Sequence, residues 1–147
     1  MTERPTDCGY LLDTSAVLAF FRGEPEGSVV RDILVGDALV MVSAPTVAEF
    51  CRSVAAATER PATEALQAWR RLRPLMSNVL AITEETAEEA LRLSGLSTAR
   101  IPLADALIAA CASLHGLRLV HRDRHMRCIR STALPQVDLA SPPPGVM

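Results

Sequence analysis

Apolar residues recur along this chain in two rhythms, short unbroken runs and longer stretches in which they return every three or four positions. Residues 9–13, Gly-Tyr-Leu-Leu-Asp, make the first short run and read as a strand. Helical spacing follows from Ser15 to Phe21 and again from Glu26 to Val35, with Gly36 as a stop. Residues 38–43 form a second strand, and Pro45 opens a helix that reaches Thr58, where Glu-Arg-Pro breaks it. The next helix spans Thr63 to Leu75, and residues 78–82 give a third strand.

Thr83-Glu-Glu-Thr-Ala has the form of a capped helix start whose acids complement the helix dipole, and this helix runs to Ser94 with Gly95 as its stop. Pro102 opens a helix to His115 that Gly116 terminates. Residues 117–120 and 136–139 complete the set as strands. Continuous apolar strands alternating with helices predict an α/β fold, a largely parallel sheet covered by helices on both faces. The pattern carries no internal repeat and no linker. It reads as a single domain over residues 1–147, with a core at about 9–139 and a Pro-rich tail at 140–147 expected to fray.

Composition agrees with a packed core. The chain has 147 residues, 49% of them hydrophobic and few of them aromatic, which suits a helix-rich aliphatic interior. Net charge is −2, so no global positive field draws the protein to nucleic acid. All 15 basic residues are Arg. Schiff-base, phosphate-loop and general-base lysine chemistry are thereby excluded. Cys8, Cys51, Cys111 and Cys128 form no Cys-x-x-Cys pair, and Cys51 and Cys111 fall in apolar helical patterns as buried thiols. The amino-terminal residues lack the apolar stretch of a signal peptide and no run is long enough to span a membrane, so a cytoplasmic location is expected.

The candidate chemistry lies in four acids. Asp13 and Asp123 follow apolar strands, Asp105 falls in the first turn after Pro102, and Glu49 lies one turn into the helix after Pro45. Each sits in apolar context, where an unpaired charge is costly. All four can face the carboxyl edge of one sheet, where open α/β folds bind ligands. Such a cluster suits one or two hard cations such as Mg²⁺ or Mn²⁺. It also suits phosphodiester hydrolysis by activated water, with no covalent enzyme intermediate. Glu84, Glu85, Glu88 and Glu89 are better explained by the helix dipole and solvent.

The segments Leu-Leu-Asp13-Thr-Ser-Ala, Val-Ala-Glu49-Phe, Leu-Ala-Asp105-Ala-Leu-Ile-Ala-Ala and Val-His-Arg-Asp123-Arg-His-Met, in this order, resemble the PIN-domain ribonucleases, specifically the VapC-type toxins of bacterial toxin–antitoxin pairs. The resemblance spans residues 9 to 130. It implies a three-layer α/β/α fold with Asp13, Glu49, Asp105 and Asp123 as a catalytic metal site. It also implies Mg²⁺- or Mn²⁺-dependent endoribonuclease activity on RNA, a homodimer and a cognate antitoxin partner. A nuclease that matures RNA without an antitoxin, or a non-catalytic interaction module of the same fold, are the alternatives.

Ser15 matches a small hydroxyl position near the first acid, able to support a carboxylate or a metal-bound water; Thr14 could cap the helix instead. His121 stands where many relatives carry Thr, with a choice between positioning a carboxylate or phosphate and simple packing. His121 and His125 would share a strand face with Asp123, a second and weaker metal-ligand pattern. Arg122, Arg124 and Arg127, with Arg130, give a local positive patch for RNA phosphates. Arg70, Arg71 and Arg73 are better read as a solvated helix face, and Trp69 as core or dimer interface. A phospho-acceptor fold of the receiver or haloacid-dehalogenase type would also place Asp13 at a strand end. Both rely on a lysine this chain lacks, and the dehalogenase pattern needs an acid where Ser15 stands.

Overall fold

The computed structural model describes residues 9–141. Five parallel strands, β1 (Tyr10–Leu12), β2 (Val40–Ser43), β3 (Asn78–Leu80), β4 (Arg118–His121) and β5 (Gln136–Asp138), form one sheet in the order β3-β2-β1-β4-β5. Its helices are α1 (Thr14–Phe21), α2 (Gly27–Val35), α3 (Ala44–Ala55), α4 (Pro61–Leu72), α5 (Glu84–Leu96) and α6 (Leu103–Leu114). Among these described residues no helix is long and apolar enough to cross a membrane.

Strand alternation builds the three layers. Leu11 and Leu119 point into a cluster with Leu93, Ile108, Ala109 and Ala112 from α5 and α6. Their neighbours Leu12 and Val120 point the other way, to Val17, Val30, Phe50 and Leu72 from α1 to α4. Successive side chains on a strand leave opposite faces, so both faces of the central strands must be apolar. Trp69 belongs to the second cluster, its ring centroid 6.2 Å from that of Phe50. Cys111 is buried, which pushes its thiol up to about 11; Cys51 is only half-buried. Cys8 and residues 142–147 of the expected tail lie outside the described residues.

Several boundaries differ from the sequence pattern. Gly95 does not stop α5, which continues to Leu96 with Ser97 as its cap, because packing of α5 on α6 carries the last turn past the glycine. Helices α3 and α4 end earlier than their spacing suggests, and Arg73–Leu75 tightens into a 3₁₀ turn around Pro74. The strong signals hold. Thr83 and Thr86 cap α5 reciprocally, and α6 closes with Gly116 at φ +64°, Gly116 N–H donating to Ser113 and Leu117 N–H to Ala112.

One topological fact positions the site. The chain steps outward from β1 to β2 to β3, then returns to add β4 on the other side of β1. Such a reversal opens a crevice at the carboxyl ends of the two strands that flank it.

Candidate metal centre

Asp13 is the first residue beyond β1 and the N-cap of α1. Its Oδ1 accepts the Ala16 amide at 2.9 Å and the Ser15 hydroxyl at 2.6 Å. The side chain is 2% exposed. Burial pushes its pKa up to about 7; the bonds from Ser15 and Ala16 pull against this, and the charges of Asp123 and Asp105 add to it.

Across the crevice, the chain leaving β4 is tied to the same point. Asp13 N–H donates to the Val120 carbonyl at 3.0 Å, and Arg122 N–H donates to Ser15 Oγ at 3.0 Å. Ser15 thus gives its proton to one acid and receives the amide of the residue directly before another, Asp123. Asp105 lies in the first turn of α6, its pKa raised to about 6 by burial and then by Asp123 and Glu49, with His125 opposing. Glu49, on α3, accepts the Thr14 hydroxyl at 2.6 Å. Asp13 feels Asp105 and Asp123, and Asp105 feels Asp123 and Glu49. The four acids therefore share one locale, a set of hard oxygen donors whose mutual repulsion a divalent cation relieves.

Hydroxyl roles at the start of α1 differ from expectation. Thr14 is not the cap; Asp13 caps the helix itself, because its carboxylate already reaches the third-residue amide, and Thr14 is left to hold Glu49.

The two histidines part company. β4 ends at His121 and the chain turns, so His121 and His125 do not share a strand face. His121 is wholly buried. Its Nδ1 accepts the Asp123 amide at 3.1 Å, which leaves the proton on Nε2 to donate to Gln136 Oε1 at 2.8 Å. Gln136 Nε2 in turn donates to the Ile129 carbonyl at 2.6 Å. His121 holds the backbone behind Asp123 and touches no carboxylate; burial keeps it neutral by lowering its pKa. His125 is the ring that enters the centre, with Nδ1 3.1 Å from Asp123 Oδ1 and 3.4 Å from Asp105 Oδ2.

The expected positive patch is divided as well. Arg122 Nη1 and Nη2 grip Glu24 at 2.8 and 2.9 Å, and Nη1 lies 3.4 Å from Glu26. Arg127 pairs with Asp138, Nε at 2.5 Å. Arg124 and Arg130 are exposed. The partners that sequence reasoning did not foresee are Glu49 for Thr14, which was read as a cap, and Asp105 for His125, which was read only in a strand-face pattern with His121. The signals for these roles were a hydroxyl directly after the first acid and a histidine two residues past the last.

Comparison with known proteins assigns the family and the fold. The PIN domain family matches residues 10–130. No curated protein matches the sequence. Among solved structures, a toxin–antitoxin complex from Klebsiella pneumoniae aligns with a TM-score of 0.69 at 21% identity, over 91% of this chain and 100% of that one. FitAcB from Neisseria gonorrhoeae aligns at 0.67 and 25% identity, over 88% and 97%. Mycobacterium tuberculosis VapC20, described as a toxin cleaving the sarcin-ricin loop, aligns at 0.58 and 16% identity, over 76% and 87%.

Proposed function

The chain belongs to the PIN domain family, and from that premise we propose that it is a metal-dependent endoribonuclease, the toxin of a toxin–antitoxin pair. The observation that carries this reading is the meeting of Asp13, Glu49, Asp105 and Asp123 at the carboxyl ends of β1 and β4, where the strand order reverses. Structural likeness to a K. pneumoniae toxin–antitoxin complex and to an RNA-cleaving M. tuberculosis toxin supports it.

In this reading Asp13, Glu49, Asp105 and Asp123 hold one or two Mg²⁺ or Mn²⁺ ions. A bound ion of this kind acidifies water and offsets charge on phosphoryl oxygens. The chain's own residues supply the pre-organisation. Ser15 and the Ala16 amide fix Asp13, Thr14 fixes Glu49, and His121 with the Ser15–Arg122 bond fixes the backbone that carries Asp123. Arg124, exposed beside the last acid, is the first contact for an RNA phosphate. Arg122 and Arg127 shape the rim through Glu24, Glu26 and Asp138. The protein works as a homodimer, is inhibited by a cognate antitoxin and acts in the cytoplasm.

The test incubates the purified chain and its Asp13→Asn variant with total RNA, with Mg²⁺ or Mn²⁺ and with chelator. Cleavage by the parent alone, and only with metal, is expected. Equal cleavage by both proteins, or cleavage that survives chelation, would sink the proposal. A short antitoxin reading frame beside the gene separates the toxin from an RNA-maturing nuclease.

A further inference from the structure

We propose that His125 is a direct ligand of the ion held between Asp105 and Asp123, and that its imidazole biases this centre toward Mn²⁺ and later first-row ions over Mg²⁺. The inference rests on the nuclease reading above and adds a nitrogen to an otherwise all-oxygen donor set.

Geometry is the first support. One ligand atom each from Asp105, Asp123 and His125 can be chosen so that all lie within 4.8 Å of one another. The two nitrogen–oxygen separations are 3.1 and 3.4 Å. Ligand atoms at right angles around an ion about 2.1 Å away stand about 3.0 Å apart, and tetrahedral neighbours about 3.4 Å. The separations therefore match a shared coordination sphere without movement of the backbone.

The ring is also held where it must be. His125 N–H donates to Asp123 Oδ1 at 2.8 Å, and its carbonyl accepts the Cys128 amide at 3.1 Å. The next residue, Met126, is wholly buried and anchors the turn in the core under α5 and α6. The imidazole itself keeps 35% of its side-chain surface open, so it is neither locked away nor adrift. The other histidines cannot substitute. His121 has both ring nitrogens engaged behind the site, and His115 Nδ1 is bonded to the Cys111 carbonyl at the far end of α6.

Chemistry then gives the consequence. Mg²⁺ dehydrates reluctantly and prefers oxygen, whereas imidazole suits transition ions, whose affinity for such sites rises from Mn²⁺ toward Cu²⁺. If His125 were only an ion-pair partner of the two acids, a bound ion would carry no nitrogen and the two metals would respond alike to its removal.

The full chain is loaded with Mn²⁺ and examined by pulsed electron paramagnetic resonance for coupling to a directly bound nitrogen. Mn²⁺ and Mg²⁺ affinities are measured by calorimetry for the parent, His125→Ala and His125→Asn. Expected are nitrogen coupling in the parent that is lost in both variants, Mn²⁺ affinity lower by about tenfold or more, and Mg²⁺ affinity changed far less. Mn²⁺ bound without nitrogen coupling overturns the proposal while leaving the nuclease reading intact, as does an equal loss for both ions. No divalent binding at all overturns both. The coupling in the parent is decisive even if a variant fails to fold.

Discussion

The Thr14 hydroxyl stands 2.6 Å from Glu49 Oε1, so the first turn of α1 grips an acid carried by α3, 35 residues further along the chain. A hydroxyl donating to a carboxylate is a charge-assisted bond, stronger than a neutral one. Thr14→Val keeps the shape and removes the donor. Metal affinity is expected to fall several-fold and stability by about 1–2 kcal/mol, with Thr14→Ser restoring most of both. Calorimetric titration with Mn²⁺ and urea unfolding check it, and unchanged metal binding in Thr14→Val would free Glu49 from this support.

Proton linkage in the metal-free protein runs opposite to that of a salt-bridged acid. Asp13 is raised to about 7 and Asp105 to about 6 in the folded chain, above their ordinary 3.8. The folded state therefore holds protons that the unfolded state has released. The stability this gives is full below about 4 and is lost as pH rises through 6 to 7. Melts in chelator should show a Tm lower at pH 8 than at pH 6, with a flatter profile for Asp13→Asn. Adding Mg²⁺ or Mn²⁺ should raise Tm more at pH 8 than at pH 6, because the ion competes with those protons. A Tm that climbs steadily from pH 6 to 8 in chelator contradicts this.

The His121–Gln136 pair predicts a different signature. Gln136→Leu strands the buried His121 Nε2–H and leaves the Ile129 carbonyl without this donor, at a cost of about 1–3 kcal/mol. Because His121 also takes the Asp123 amide, the variant should bind metal more weakly as well. Denaturant unfolding and metal titration measure the two effects. A loss of stability with unaltered metal affinity would confine His121 to packing.

The two arginines beside Asp123 should separate in salt titrations of RNA binding. Arg124→Gln is expected to weaken binding and make its salt dependence shallower by about one phosphate contact. Arg122→Gln should leave the salt slope alone and cost no more than about 1 kcal/mol of stability, since its partners Glu24 and Glu26 are partly exposed. Binding curves on an uncleavable RNA at several salt concentrations decide between them.

What was legible in the sequence is what backbone and burial decide locally. An apolar run ending in an acid marked Asp13, and capping residues marked the ends of α5 and α6 at Thr83 and Gly116. Gly95 misled because a helix-breaking preference of about 1 kcal/mol is smaller than the packing of a helix on its neighbour. The choice of side-chain partner was not legible. Thr14 takes Glu49 over the cap, Arg122 takes acids 96 and 98 residues away over open solvent, and the turn after β4 sends His125 inward while His121 stays behind. Each depends on which distant segment arrives alongside.

The strand order has a consequence for how the chain comes off the ribosome. Once β1 to β3 have been made, Asp13 and Glu49 exist but the acids beyond α5 do not. The bond that ties Ser15 to the Arg122 amide closes a separation of 107 residues, and β4 must slot in beside β1 to make it. Parallel pairings of that span carry a large loop-closure cost and form late. In the proposed nuclease, the cutting centre is therefore assembled only when nearly all of the chain from Asp13 to His125 has been synthesised, and a truncated or stalled product carries half a site.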